Sequence, residues 1–396
     1  MTAVDNSAGA VFGPVMRWAA AVLAGAALAG LLVPTTAKAV TPPSADPFYS
    51  APTNLSAATP GTVLRWRRVT LPGPEGLASS AAYQLLYRTT SATGAPIATV
   101  TTLLLPSAPA AGARKLLSYQ TAEDSLTTSC APSYTMLSGT GSTQMAENLQ
   151  IALGLARGWD VVVPDYEGPQ SEYAVGPLEG RATLDSVRAV ERFAASSLEG
   201  ARTPVGLMGY SGGAIPSVWA NALASGYAPE LNLAGVAVGG IAADPIENLA
   251  AVDGTVFFGV VITASVGVDR AYPELDLNSL LNAPGRALAA TDGRDGNGCA
   301  GGIANAPLGR VSQYSNYPSP QALAAVPRVR RVFSRLNLIT GPTPAAPSYF
   351  YNAISDEIAI IHPVDELFAA YCARGVAVDY QRDPIGEHLT GAATYT

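Results

Sequence analysis

The sequence has few of the residues from which metal centres are built. Its 396 residues include only two histidines and three cysteines, and neither a C-x-x-C nor an H-E-x-x-H pattern occurs. Structural and catalytic zinc sites need several such ligands at characteristic spacings. We therefore predict that the chain holds no metal ion.

Charged residues are also scarce. They make up 13% of the chain, the net charge is −7, and no long basic cluster occurs. Nothing in the sequence therefore predicts an electrostatic footprint for nucleic acid. Hydrophobic residues make up 48%, which argues against a disordered, solvating protein. The chain is long enough to bury a large core, so we expect a folded protein.

The amino terminus lacks a comfortable membrane span. Its apolar run, residues 19–33, follows Arg17 and is soon followed by Ala37-Lys38-Ala39, which fits an A-x-A cleavage site. We predict a secretory signal peptide in residues 1–39, cleaved near Ala39. The alternative is a retained anchor that keeps the protein associated with the membrane or cell envelope. Export would place the three cysteines in an oxidising compartment, where one pair and one leftover is the simplest arrangement.

What the chain does contain is an ordered succession of strand and helix patterns. Segments rich in β-branched and aromatic residues predict antiparallel strands at 62–71, 81–90 and 96–105. Short apolar runs, with helical patterns such as 183–197 and 363–375 among them, predict buried strands at 115–120, 159–165, 205–210, 233–240, 348–355 and 376–381. The predicted fold class is α/β, with a mostly parallel central sheet, antiparallel N-terminal strands and helices on both faces.

This alternation is interrupted between residues 244 and 347, where short helical patterns and loops rich in Pro, Gly and Asn occur. We predict an inserted, mainly helical cap here, over a core formed by residues 40–243 and 348–396. The alternative is a pair of core helices with long loops. The apolar segment 256–268 could line a pocket or belong to ordinary core.

A serine surrounded by glycines follows the predicted strand at 205–210. The pentapeptide Gly209-Tyr210-Ser211-Gly212-Gly213 fits G-x-S-x-G, the nucleophile elbow of α/β-hydrolases. The turn from strand to helix is so tight that the neighbouring residues need almost no side chain. A helix-capping serine is the alternative. The strand before and the helical pattern after it favour Ser211 as a nucleophile.

A nucleophilic serine needs an adjacent base, and the base needs an orienting carboxylate. The two available histidines are His362, which reads as a helix-terminal residue, and His388, which follows the last predicted strand. We predict His388 as the base and Asp356 as the acid, with Asp365 as a weaker competitor. Glu357 should point away from the site, because successive residues at a strand end face opposite ways.

The negative charge that develops on an attacked carbonyl oxygen is stabilised by two backbone N–H donors. The residue after the nucleophile, Gly212, supplies the first. The second should come from the loop after an earlier strand, for which residues 119–134 are suited.

Several motifs, taken in order, resemble the secretory lipase family, which includes the yeast lipase A type. The resemblance extends over almost the whole mature chain. The motifs are DPFY (46–49), YQTAEDS (119–125), CAPSY (130–134), DYEGP (165–169), GYSGGA (209–214), YAPELNLAGVAVGG (227–240), SDEI (355–358) and EHLT (387–390).

The resemblance implies an α/β-hydrolase with a largely helical cap that cleaves triacylglycerols and simpler esters without a cofactor. Position by position, it implies a triad of Ser211, Asp356 and His388. It also implies an oxyanion hole formed by the backbone N–H groups of Asp124 and Gly212.

The family pattern further implies a disulfide between Cys130 and Cys299. Members similar to lipase A continue past the catalytic histidine, and a cysteine in that continuation pairs with the counterpart of Cys372. This chain ends eight residues after His388. We therefore expect Cys372 to be unpaired.

Together these features predict a secreted serine hydrolase that cleaves carboxylic esters of lipids, as a triacylglycerol lipase or carboxylesterase. We expect a lipid or ester as substrate and at most transient contact with a lipid–water interface. We expect neither nucleic acid nor an obligatory protein partner. The alternatives are an acyltransferase that uses the same triad and a catalytically silent, lipid-binding protein of the same fold.

Overall fold

The computed structural model describes residues 40–72, 79–291, 299 and 306–392, and the predicted signal peptide lies outside these ranges. Within them, nine strands form one sheet. The strands are β1 (Val63–Val69), β2 (Ser79–Thr90), β3 (Pro96–Pro106), β4 (Leu116–Gln120), β5 (Asp160–Pro164), β6 (Val205–Tyr210), β7 (Leu233–Gly239), β8 (Ser348–Ala353) and β9 (Val378–Asp383).

The sheet is antiparallel at its amino-terminal end and parallel elsewhere. Its strand order is β1-β2-β3-β5-β4-β6-β7-β8-β9. Neighbours pair antiparallel from β1 to β5 and parallel from β5 to β9. The prediction of a mostly parallel sheet with antiparallel N-terminal strands is confirmed.

Helices connect and cover the strands. They are α1 (Pro132–Ser138), α2 (Ser142–Ala156), α3 (Gly176–Glu191), α4 (Ala214–Tyr227), α5 (Pro245–Val252), α6 (Phe258–Ala271), α7 (Leu277–Leu280), α8 (Ala283–Thr291), α9 (Val311–Tyr314), α10 (Pro320–Ala324), α11 (Pro327–Phe333), α12 (Ile361–Ala373) and α13 (His388–Gly391).

The apolar run of β5 shows why the central strands are buried on both faces. Val162 belongs to a core cluster with side chains of α3 and α4, whereas Val161 and Val163 pack with side chains of α1 and α2. Alternate residues of a strand point to opposite faces of the sheet. A continuously apolar strand therefore requires helices on both sides, as predicted.

Helix α3 begins seven residues before the predicted helical pattern at 183–197. Pro177 lies in its first turn, and the carboxylate of Glu179 accepts a hydrogen bond from the backbone N–H of Val175. Proline suits the first turn, and an acidic residue there can satisfy an unpaired N–H group. These capping interactions extend the helix towards its amino terminus.

The described segment between β7 and β8 consists of short helices, connecting turns, a stretch without helix at 334–347 and one isolated bridge between Leu281 and Ser315. It contains α5 to α11 and apolar clusters of its own. The division into a core and a cap remains a prediction. No described helix has both the length and the apolar character needed to cross a bilayer.

Candidate active site

The Gly209–Gly213 turn joins the end of β6 to α4. Ser211 has a φ of 54°, in the left-handed region that few non-glycine residues occupy. A Cβ atom on Gly213 would collide with the carbonyl oxygen of Gln120, the last residue of β4. Glycine is therefore needed where α4 starts against the neighbouring strand, and the turn has the strand–turn–helix setting of a nucleophile elbow.

A chain of hydrogen bonds connects Ser211 to a histidine and an aspartate. The Oγ atom of Ser211 lies 2.6 Å from Nε2 of His388. Nδ1 of the same ring lies 2.9 Å from each carboxylate oxygen of Asp356. Both His388 and Asp356 are buried. In this arrangement Nδ1–H donates to the carboxylate, which leaves Nε2 free to accept the serine proton.

The turn after β8 holds Asp356 in place. Oδ1 accepts the backbone N–H groups of Ile358 at 3.0 Å and Ala359 at 2.7 Å. These bonds fix the carboxylate towards the imidazole. Asp356 lies three residues after the end of β8, within the motif SDEI.

His388 opens the short helix α13, and its backbone has two partners that the sequence did not reveal. Its carbonyl accepts the Tyr210 hydroxyl at 2.6 Å, and its N–H donates to Oε2 of Glu357 at 3.1 Å. We expected Glu357 to point away from the site. Its carboxylate instead holds the loop that carries the base, because the loop after β8 curves back before Asp356 and removes the strand alternation.

The two weaker candidates lie away from Ser211. His362 is in the first turn of α12, with Nδ1 3.1 Å from Oε2 of Glu247. Asp365 is 3.2 Å from Nε of Arg382 and is not bonded to either histidine. The position of His362 near a helix start agrees with its interpretation as a helix-terminal residue.

Glu247, His362 and Glu366 are the one group in the described ranges whose possible metal-ligand atoms lie within 4.8 Å of one another. His362 lies between the two carboxylates, and its side chain is 65% exposed. The adjacent carboxylate of Glu247 raises the pKa of His362. This is the geometry of an ion-pair cluster on the surface, so no metal role follows from it.

The predicted oxyanion donors lie next to each other. Asp124 follows β4 in a loop and has a φ of 44°. Its backbone N–H donates to no acceptor in the part of the chain that the structure describes. A Cβ atom on Gly212 would collide with the carboxylate of Asp124, so the two residues are in close contact. The N–H of Gly212 lies at the start of a helix, where such groups lack intrahelical partners.

Carboxyl groups behind this loop are largely shielded from water. Burial raises the pKa of Asp124 to about 6, against an opposing effect of His388. Burial also raises the pKa values of Glu123, Glu167 and Glu179 well above the ordinary range, and repulsion among these neighbours adds to it. Desolvation disfavours the charged form of a carboxyl group. Burial therefore disfavours the ionised form of these carboxyl groups.

An apolar cavity opens beside Ser211 and His388. It has a volume of about 900 Å³, part of which is open to solvent. Its lining is mostly apolar and includes Trp219, Leu249, Val252, Val268, Phe333 and Leu336. A cavity of this character suits a long apolar group bound next to the reactive serine.

A second cavity of about 520 Å³ shares part of this wall. Leu249, Val261, Ser265 and Phe333 line both cavities. The segment 256–268 was expected either to line a pocket or to belong to ordinary core, and each description applies to part of α6. Val261 lines both cavities. Phe258 lies in a buried cluster and also borders the second cavity.

The predicted disulfide between Cys130 and Cys299 is present, with Cα atoms 5.4 Å apart. It joins the turn before α1 to the segment between α8 and α9. Cys372 is exposed and unpaired, as expected.

Comparisons with known proteins identify the family of this chain. A family model described as "Secretory lipase" matches residues 134–395. The chain belongs to the secretory lipase family. It is 34% identical to Lipase A of Arthroderma benhamiae, over 92% of this chain and 79% of that protein. Family membership confirms the resemblance and, at the level of the family, the prediction of a lipid ester hydrolase.

The chain is also similar to a solved lipase structure and to a mycobacterial protein. A crystal structure of Candida antarctica lipase A in its closed state matches with a TM-score of 0.82 at 30% identity, covering 90% of this chain and 84% of that one. This match confirms the α/β-hydrolase fold. A protein of Mycobacterium tuberculosis named a probable inactive lipase is 34% identical, over 88% of this chain and 78% of that protein.

Proposed function

We propose that this member of the secretory lipase family is a secreted serine hydrolase that cleaves carboxylic esters with apolar acyl chains. One observation carries the proposal. The hydrogen-bonded chain from Ser211 through His388 to Asp356 ends at the wall of an apolar cavity. Nucleophile, base and orienting acid are within reach of one another and of a site suited to an acyl chain.

In the proposed reaction, Oγ of Ser211 attacks the ester carbonyl while Nε2 of His388 takes its proton. The N–H groups of Asp124 and Gly212 donate to the resulting oxyanion. Collapse of this intermediate breaks the bond to the alcohol, which receives the proton from His388. Water, deprotonated by the same imidazole, then attacks the acyl-enzyme. The bond to Oγ of Ser211 breaks, His388 returns the proton to that oxygen, and the carboxylic acid is released.

The cavity supports lipids as the substrate class. Apolar area removed from water contributes about 25 cal/mol per Å², so a long acyl chain gains more in this cavity than a two-carbon chain does. Triacylglycerols and simpler lipid esters therefore fit better than small polar esters. The names of family relatives and the family description point the same way, and the description also supports secretion.

A catalytically silent, lipid-binding protein is a second candidate, because one relative is named a probable inactive lipase. An activity-based phosphonate separates the two candidates. The proposed enzyme is labelled at Ser211, and Ser211→Ala abolishes labelling and lowers turnover by about 10⁴-fold or more. Ser225→Ala is the matched control, since Ser225 is exposed on α4, the same helix that the elbow opens.

The silent protein would show no labelling and unchanged lipid binding in Ser211→Ala. Hydrolysis rates of nitrophenyl esters with acyl chains from two to sixteen carbons then measure the acyl-chain preference. We expect rates to rise with chain length. A sharp preference for two-carbon chains would contradict the lipid assignment, and ester products formed with a competing alcohol would indicate an acyltransferase.

A further inference from the structure

The loop that carries Asp124 has an unusual pattern of hydrogen bonds. The backbone N–H groups on both sides of Asp124 are each bonded to a side chain from another part of the molecule. The N–H of Asp124 itself has no acceptor among the described residues. Buried N–H groups are almost always paired. The loop is therefore built so that one donor is kept free at the site.

Tyr166 lies at the centre of this pattern. Its hydroxyl donates to the carbonyl of Thr121 at 2.7 Å and accepts the N–H of Glu123 at 3.0 Å. The side chain is completely buried just after β5. Burial and nearby carboxyl groups hold the pKa of Tyr166 far above its ordinary value, so the hydroxyl keeps its proton. Only a group that both donates and accepts can bridge these two backbone atoms.

Two glutamates hold the rest of the loop. Oε2 of Glu147, on α2, accepts the N–H of Ala122 at 2.9 Å. Oε1 of Glu167, next to Tyr166, accepts the N–H of Ser125 at 3.2 Å. Three side chains from two separate segments thus hold the backbone from Thr121 to Ser125, which includes Asp124.

These contacts stabilise an otherwise unfavourable backbone conformation at Asp124. A non-glycine residue in the left-handed region, such as Asp124, is sterically disfavoured. Such a conformation persists only where the surroundings impose it, and it is found often at functional sites. Without the bridging hydroxyl, the backbone just before Asp124 is free to shift and to carry the Asp124 N–H away from the reacting oxygen.

We propose that Tyr166 is the positioning residue of the oxyanion hole. Its hydroxyl clamps the backbone on both sides of the Ala122 residue and thereby aims the N–H of Asp124 at the carbonyl oxygen of the substrate. Glu147 and Glu167 complete the clamp. The proposal rests on the proposed esterase function. Oxyanion donors act only within a narrow distance range, about 2.7–3.1 Å from the oxyanion.

Tyr166→Phe tests this assignment, because it removes one oxygen atom and keeps the ring. Tyr87→Phe is the matched control. Tyr87 is equally buried, and its hydroxyl donates to a backbone carbonyl, that of Ala182, at 2.8 Å. Both variants lose a buried tyrosine hydrogen bond, but only one of these bonds belongs to the oxyanion loop.

We expect Tyr166→Phe to lower kcat on a long-chain nitrophenyl ester by at least tenfold, towards the 10²–10³-fold that loss of one oxyanion donor costs. KM should change less than about threefold. A trifluoromethyl ketone, whose adduct with Ser211 carries an oxyanion, should bind more weakly by the factor lost in kcat/KM. The product fatty acid should bind unchanged, because it forms no such adduct.

If Tyr87→Phe lowers kcat and weakens the ketone equally, or if Tyr166→Phe leaves both unchanged, the assignment is wrong. If Tyr166→Phe does not fold, substitutions of the half-buried Glu147 test the assignment instead. Glu147→Ala should then lower kcat and ketone affinity together while Glu147→Gln, which retains an acceptor oxygen, restores both. Equal values for the two Glu147 variants would overturn the proposal. An inactive, unlabelled wild-type protein would instead refute the proposed function itself.

Discussion

Asp124 brings two groups with opposite effects to the same place. Its backbone N–H is a proposed oxyanion donor, whereas its carboxylate lies against Gly212, where a negative charge would oppose that oxyanion. Burial raises the pKa of this carboxyl to about 6. The group is therefore neutral below about pH 6 and charged above it. The charged form lies against Gly212, where it would repel the oxyanion.

Asp124→Asn should remove this repulsion while keeping the backbone, because asparagine tolerates the left-handed conformation. The ratio of kcat/KM for the variant to that for the wild type should be near one at pH 5. It should rise to about tenfold at pH 8, as expected for one nearby charge worth about 1.4 kcal/mol. A pH series on a nitrophenyl ester measures it.

Asp365→Asn is the control for this series, since Asp365 lies on α12 and is not bonded to the triad. Its ratio should not vary with pH. A flat ratio for Asp124→Asn between pH 5 and pH 8 would show that the Asp124 carboxyl does not influence the oxyanion.

Two glycines near α4 differ in what a methyl group would meet. At Gly213 a Cβ would collide with the Gln120 carbonyl, whereas at Gly226 nothing lies within 4 Å. Gly213→Ala should displace the elbow and lower turnover by at least about 100-fold, comparable to the effect of a misplaced nucleophile. Gly226→Ala should keep activity and raise the free energy of unfolding by about 0.5–1 kcal/mol. Steady-state kinetics and urea unfolding test the pair, and similar activity in both would contradict the close packing of β4 and α4.

At the scale of elements, α6 forms a wall between two cavities. Val261 lines both of them, and the first cavity reaches Ser211. Val261→Phe should narrow the cavity that reaches Ser211, so hydrolysis of sixteen-carbon esters should fall by about tenfold relative to four-carbon esters. Val256→Phe is the control, because Val256 is 49% exposed just before the same helix. An unchanged chain-length profile in Val261→Phe would place the acyl chain elsewhere.

The disulfide joins two elements that are far apart in sequence. Cys130 and Cys299 are separated by 169 residues, and loss of a native disulfide typically costs about 2–5 kcal/mol. Cys130→Ser should therefore lower the free energy of unfolding by that amount in urea titrations. Cys372→Ser should change it by less than about 0.5 kcal/mol, because that thiol is exposed and unpaired. Equal stability of Cys130→Ser and the wild type would mean that the bond contributes nothing.

Strands and the elbow were predictable from sequence because their signals are local. Continuous apolar runs such as that of β5 identify buried strands, and the glycines around Ser211 mark a tight turn. The start of α3 was less predictable, since it depends on capping by Glu179 from within an unpatterned segment.

The supporting contacts of the site were not predictable from such patterns. Tyr166 and Glu147 reach the oxyanion loop across 45 and 25 residues of sequence. Glu357 bonds the backbone of His388 rather than its ring. Each contact depends on how separate elements pack, so no local periodicity reports it. A buried polar residue inside a family motif, such as Tyr166 in DYEGP, is the signal that could have indicated it.

At the scale of the whole molecule, the parallel strands account for the site. β4, β6 and β8 run in the same direction, and their carboxyl ends lead to Asp124, Ser211 and Asp356. Loops at the carboxyl ends of parallel strands lie along one edge of a sheet. His388 reaches the same edge after β9. Four segments distant in sequence therefore converge because the sheet is parallel there.

A crystal structure of the enzyme inhibited by a long-chain alkyl phosphonate tests this convergence most directly. We predict a covalent bond from phosphorus to Oγ of Ser211. The phosphonyl oxygen should accept hydrogen bonds from the N–H groups of Asp124 and Gly212, and the alkyl chain should lie in the cavity lined by Leu249 and Phe333. Phosphorus bound to another residue, or an oxygen that points away from both N–H groups, would contradict the proposed active site.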